Sequence, residues 1–305
     1  MANEIRIDAL LPAEMAVRAE YIGVRKAEAG ALTMFALAVL AGAFIAMGAV
    51  FATTIAAGAA VLPYGVARLL GGVVFCLGLV LVIVGGAELF TGNNLIVMAW
   101  ASGKVTTRDL FRNWVIVYIG NFIGSVGTAA LVFTSRQYTF GGGAVGATAL
   151  AIADGKVHLD FFQAIALGVL CNTLVCLAVW LTYSARSTVD KIAAIIFPIT
   201  AFVAAGFEHS VANMYFIPVG LFIKDFDPAF VAGLGLNLSD LTWSSFMIDN
   251  LLPVTIGNII GGSLLVAIAY WAIFLRRMES QEAPAQKKLV ASPQLLGSQA
   301  ERIEK

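Results

Sequence analysis

The sequence predicts an all-α integral membrane protein with six transmembrane helices, built as two inverted three-helix repeats whose second and fifth spans are broken. Three observations predict it. The 305 residues are 60% hydrophobic and 12% charged, with a mean hydropathy of +0.88, whereas soluble domains carry about 25% charged residues. Two long apolar runs are interrupted by polar residues, at Gly85-Gly86-Ala87-Glu88-Leu89-Phe90-Thr91-Gly92-Asn93-Asn94 and at Ala204-Ala205-Gly206-Phe207-Glu208-His209-Ser210-Val211-Ala212-Asn213-Met214. Finally, the third and sixth spans share Gly-Asn-x-Ile-Gly, at 120–124 and 257–261. Three spans per half is an odd number, so the second half must run inverted, and its break approaches the midplane from the other side.

The elements follow in order. Pro12 to Glu28 reads as a surface helix, with Met15, Ala19, Ile22 and Ala29 at spacings of three, four and seven. The first span covers about 31–57, and Pro63 and Gly65 mark a turn. A second apolar run, about 69–85, enters the first break, resumes at Leu95 and ends near Trp100. Lys104, Arg108 and Arg112 read as a loop before the third span, about 114–134. A glycine-rich connection from Arg136 to Asp160 carries Lys156 and His158. The fourth span, about 161–183, contains Asn172, and the fifth is the run broken at Glu208-His209. A polar stretch, 224–242, precedes the sixth span, about 246–275. Three regions result: a cytoplasmic N-terminal helix over 1–28, a membrane domain over 29–277 and a polar, disordered tail over 278–305.

Charge sets the orientation and excludes some partners. Arg25, Lys26, Lys104, Arg108, Arg112, Arg186, Lys191, Arg276 and Arg277 flank one side, and Arg68, Arg136, Lys156 and Lys224 the other. Nine against four predicts both termini in the cytoplasm. Net charge is zero and no basic block occurs, so a nucleic acid partner is not expected. Cys76, Cys171 and Cys176 lie in apolar runs and offer no disulfide framework. Neither histidine has metal-ligand spacing, so no metal or cofactor is expected. The polar N-terminus lacks the apolar core of a cleaved signal peptide.

The breaks carry the chemistry. Ionisable groups inside a span cost several kcal/mol unless they pair or face a cavity, so Glu208 and His209 are functional candidates. A lone buried histidine is usually structural, but the acid beside it and the broken span favour a pore role. Glu208 would repel an anion if left unpaired, which predicts a structural carboxylate accepting backbone N–H groups freed at the break. The glycine pairs Gly120/Gly124 and Gly257/Gly261 predict close helix approach.

These residues resemble the formate/nitrite transporters over nearly the whole chain, from Pro12-Ala13-Glu14 through Arg276. The most specific matches are Glu88-Leu89-Phe90-Thr91-Gly92, the segment 171–180 around Asn172, Gly206-Phe207-Glu208-His209-Ser210-Val211-Ala212-Asn213-Met214, and the segment 253–262. Spans four to six look most like the formate branch. The resemblance implies an aquaporin-like six-helix protomer with its own pore, assembled as a homopentamer in the bacterial inner membrane. It implies small monovalent anions as substrates, formate first and nitrite next, with acetate, lactate or hydrosulfide as further candidates. It implies pore roles for Thr91, Lys156, Asn172, Glu208 and His209. It also implies that Phe75, Leu79, Leu89 and Phe202 form the apolar rings that narrow the pore.

Each role has a plainer alternative. Thr91 can simply cap the restarted half-helix, although a half-helix N-terminus also favours an anion. Asn172 can be a hydrogen bond between helices. Lys156 can be an ordinary loop cation, or it can concentrate anions at the outer mouth. Two other function classes are weaker. Aquaporin-type neutral-solute channels carry paired Asn-Pro-Ala motifs, absent here, and a membrane-embedded enzyme would need a nucleophile or metal set beside His209. No catalysis is expected. The mechanism expected is passage of the anion as its neutral acid, with protonated His209 handing it the proton. In water that transfer is uphill by roughly 2.5 pKa units, about 3.4 kcal/mol. Burial narrows the gap because it favours the neutral form of both partners.

Overall fold

The computed structural model describes residues 9–276, so the predicted 278–305 tail lies outside the described residues. Six helices are long and apolar enough to cross a membrane. They are α2 (Ala31–Ala56), α3 (Tyr64–Gly85), α6 (Thr107–Thr134), α8 (Phe161–Thr182), α9 (Thr188–Ala205) and α12 (Trp243–Leu275). Among the described residues there is no strand. The shorter helices are α1 (Pro12–Glu28), α4 (Phe90–Asn93), α5 (Val97–Ala101), α7 (Ala144–Val157), α10 (Ser210–Phe226) and α11 (Pro228–Leu234).

Local chemistry accounts for most boundaries. Thr106, Asp160, Ser187 and Thr242 cap α6, α8, α9 and α12 by accepting first-turn backbone N–H groups. Helices α3 and α9 both stop at a glycine in the left-handed region, Gly86 (φ 76°) and Gly206 (φ 77°), a conformation that other residues adopt at a cost. After each glycine the chain runs extended for a few residues and then restarts as α4 or α10.

Three expectations are corrected. The glycine-rich connection is largely helix α7, because an apolar face carrying Ala149, Leu150 and Ala153 buries against α10. Arg108 and Arg112 lie within α6 rather than in a loop, since the Thr106 cap starts that helix about two turns before the apolar run. The stretch 224–242 holds the end of α10 and all of α11. Helix α12 also winds wider than an α-helix over Phe246–Leu251, Ile260–Ile268 and Trp271–Leu275.

The glycine motifs bring helices together within the protomer. A methyl at Gly124 would collide with the Val39 carbonyl of α2, and one at Gly257 with the Ile165 carbonyl of α8. Thus α6 packs on α2 in the first half as α12 packs on α8 in the second. The halves also match upstream, where α1 precedes the first span as α7 precedes the fourth. Each repeat therefore contains a short leading helix besides its three spans.

Candidate functional site

Each break is pinned by one asparagine from the shared Gly-Asn motif. The Asn121 side chain accepts the N–H of Phe90 at 2.9 Å and donates to the carbonyls of Glu88 and Ala38. Asn258 accepts the N–H of Ser210 at 2.9 Å and donates to the carbonyls of Glu208 and Gly168. Backbone groups released where a helix stops must find partners when no water is present, and these two amides supply them.

The carboxylates of the breaks are held by side chains. Glu208 accepts from Lys156 Nζ at 2.7 Å and from Asn213 Nδ2 at 2.7 Å, with Asn250 Nδ2 at 3.4 Å. This corrects the expectation that backbone N–H groups would satisfy it, because Leu167 takes its own N–H and Asn258 that of Ser210. Lys156 is no loop cation either. It sits in the last turn of α7, its side chain is 16% exposed, and its ammonium lies 5.5 Å from the centre of the Phe216 ring.

Glu88 has the same surroundings. Lys26 Nζ lies 2.9 Å from both of its oxygens, and Asn93 Nδ2 lies 2.7 Å from one of them. Asn113 closes that network as Asn250 closes the other: each accepts from the break asparagine and donates to the lysine's own carbonyl. Sequence reading placed Lys26 only among the flanking cations. A signal was present, since Asn113/Asn121 and Asn250/Asn258 repeat the same eight-residue spacing.

Two cavities approach the breaks. One, of about 260 Å³, is lined by Arg18, Lys26, Lys191, Leu79, Glu88 and Leu89 among others. The second, of about 680 Å³, is lined by residues including Arg68, Lys156, Phe75, Phe202, Glu208 and His209. Lys26 and Lys191 from one side of the charge rule, and Arg68 and Lys156 from the other, thus line different cavities. Both mouths are basic, which raises the local concentration of anions. The four predicted ring residues divide between the cavities, Leu79 and Leu89 on the first, Phe75 and Phe202 on the second. Phe75 meets Phe202 edge to face at 5.7 Å, and Phe202 stacks on the His209 ring at 5.9 Å.

Between the cavities Thr91 Oγ1 lies 3.0 Å from His209 Nε2, with both residues buried. His209 also caps α10, its Nδ1 accepting the N–H of Ala212 at 3.0 Å. An amide N–H can only donate, so Nδ1 is the acceptor and the neutral ring carries its proton on Nε2, pointed at the Thr91 hydroxyl oxygen. The Thr91 hydroxyl hydrogen remains available to a guest.

Asn172 is fully buried on α8 and, like Thr91, lines neither cavity; it donates to the carbonyls of Thr91 and Asn258. It was recognisable from sequence as a buried amide, but its partners lie 81 and 86 residues away.

Comparison with known proteins adds independent observations. A family model described as formate/nitrite transporter matches residues 13–272. The chain is 49% identical over 273 residues to the formate channel FocA of Escherichia coli (strain K12), covering 88% of this chain and 96% of that protein. It is 40% identical to a probable formate transporter of Methanothermobacter thermautotrophicus, over 87% of this chain and 97% of that one. Among solved structures, a pentameric formate channel with formate bound superposes with a TM-score of 0.76 at 47% identity, covering 80% of this chain and 98% of that chain. An FNT family ion channel superposes with a TM-score of 0.72 at 28% identity, covering 85% and 98%.

Proposed function

The chain belongs to the formate/nitrite transporter family, and from that premise we propose that it is a membrane channel for small monovalent anions, with formate as its principal substrate and nitrite as the second. The observation that carries this reading is the buried Thr91–His209 hydrogen bond, set between two basic cavities and flanked by apolar side chains. Basic mouths draw the anion in, apolar rings strip its water, and the Thr91 hydroxyl, held by the His209 imidazole, receives it as a donor. The similarity to relatives named as formate channels supports formate as the substrate. The similarity to a pentameric channel supports a homopentamer with one pore per subunit.

Passage is coupled to a proton. A bare carboxylate crosses an apolar neck only at high cost, whereas its neutral acid does not. The His209 cap adds a condition. For the ring to become imidazolium, Nδ1 must take a proton, and it then cannot accept from Ala212. Proton delivery by His209 therefore requires that cap to open, and the resting site is a neutral donor pair. The protein lies in the plasma membrane with both termini on the cytoplasmic side, as the basic residues favour.

The test is formate flux measured together with proton movement in proteoliposomes, for the wild type, His209→Asn and Thr91→Ala. Saturable formate flux with co-moving protons that vanish in His209→Asn is the expected outcome. Formate current without protons at every pH would remove the relay and leave an anion channel, and turnover of a substrate without flux would remove the channel. Native mass spectrometry in mild detergent checks the pentamer.

A further inference from the structure

We infer that Asn172 is a positioning residue, which fixes the spacing between Thr91 and His209 by tying both broken segments to one side chain, with Gly262 providing the space it occupies. The inference builds on the proposed role of the Thr91–His209 pair. Asn172 Nδ2 donates to the Thr91 carbonyl at 3.2 Å and to the Asn258 carbonyl at 2.7 Å. Asn258 in turn holds the residues on either side of His209, accepting the Ser210 N–H and donating to the Glu208 carbonyl. Two buried amides thus connect one partner of the central hydrogen bond to the other without touching either cavity. Both hydrogens of the Asn172 amide are committed to this link, while its Oδ1 is buried with no partner. An orphaned carbonyl carries a desolvation cost, so the position is matched to donation rather than to general polarity.

The surroundings of Asn172 are shaped for it. Cys176, one turn further along α8, supports the same Thr91 carbonyl through its thiol at 3.3 Å. A methyl on Gly262 would strike Asn172 Nδ2 and would lie 2.8 Å from both Asn94 Cβ and Cys176 Sγ. The neighbouring Ser263 hydroxyl donates to Asn94 at 3.0 Å, and Asn94 donates to the Phe90 carbonyl. Helix α12 therefore braces the first half-helix from behind at the level of Thr91.

The other repeat solves the same problem with the residue types exchanged. Asn172 lies four residues after Gly168 and Gly262 four after Asn258, as Gly42 lies four after Ala38 and Ser125 four after Asn121. There Gly42 is the small residue, and Ser125 on α6 is the donor, reaching the carbonyls of Gly42 at 3.1 Å and Val211 at 3.3 Å. In each repeat one donor supports the first turn of a half-helix; a methyl on Gly262 would strike that donor, and one on Gly42 would strike the Asn121 backbone one turn before Ser125.

The experiment reads the hydrogen bond itself, independently of what the channel carries. With His158→Gln as background, His209 is the single histidine, and its ring ¹⁵N resonances can be followed by solid-state NMR in liposomes. Thr91→Val is expected to shift the Nε2 resonance, and Asn172→Leu and Gly262→Ala are expected to shift it in the same direction in assembled oligomers. An unchanged Nε2 resonance in either of these two variants overturns the inference, and the second covers the case in which the first does not assemble. Flux supplies the complementary readout. Asn172→Leu is expected to lower formate flux about tenfold or more, as a displaced reactive group does, and to add nothing in the Thr91→Val background. Losses that multiply would show Asn172 acting on the anion directly and would also overturn it. A wild type that moves no formate would refute the proposed function instead, leaving the NMR result to decide the positioning role.

Discussion

The Lys156 ammonium lies 2.7 Å from a Glu208 carboxylate oxygen, in a pair whose side chains are 16% and 6% exposed. So placed, the lysine neutralises an acid that would otherwise oppose an anion entering from the larger cavity. Removing one partner of a buried ion pair costs about 3–5 kcal/mol, because the other charge is left uncompensated. Lys156→Gln is therefore expected to lower thermal stability and to reduce flux at low and high ionic strength alike. A purely steering cation would lose its effect at high salt. Combining Lys156→Met with Glu208→Gln should recover part of the stability lost in either single variant, as measured by thermal unfolding in detergent.

The apolar rings of the proposed pore are expected to set which anions pass. Leu79 and Phe202 are buried and line different cavities, and Phe202 stacks on the His209 ring. Hydrophobic constrictions gate by dewetting, so truncation should relax discrimination by size. Leu79→Ala and Phe202→Ala are each expected to raise acetate and lactate flux relative to formate in a liposome assay. Unchanged ratios in both would place these side chains outside the path.

The glycine contacts are between helices of one protomer, and their loss should appear as lost stability rather than lost selectivity. Gly124→Ala and Gly257→Ala each drive a methyl against a backbone carbonyl of the facing helix. Overpacking of this kind costs about 1–3 kcal/mol or more. Lower thermal midpoints are expected in both, with the formate-to-acetate flux ratio of the surviving protein unchanged.

A surface tie should respond to pH. His158, at the C-terminal end of α7, meets the Asp154 carbonyl at 2.8 Å and the Asp240 carboxylate at 3.3 Å. The hydrogen bond to the Asp154 backbone, then that to Asp240, raises its pKa above the usual value of 6.5. Lys224, on α10, is the neighbouring cation and donates to the Leu241 carbonyl. A raised folded-state pKa means the tie is fully present below the unfolded pKa and is lost as pH rises through the folded one. Hydrogen exchange over 235–242, corrected for intrinsic rate, should speed up across that window, and His158→Gln should abolish the change.

The sequence by itself determined the class, the six spans, the position of both breaks and the pairing of the repeats. These are local properties. Apolar run length sets what can cross a membrane, a glycine before a polar cluster sets where a helix can stop, and a repeated Gly-Asn motif exposes the duplication. Only the tertiary structure decided what each polar group at the breaks touches. Lys26 reaches Glu88 across 62 residues and Lys156 reaches Glu208 across 52. The donors for the Thr91 carbonyl arrive from another span altogether. Buried polar groups must be satisfied in a medium without water, but the chain offers many amides and cations able to do so. Which of them arrives depends on how closely α6 lies on α2 and α12 on α8, a distance set by glycine contacts that no single segment encodes.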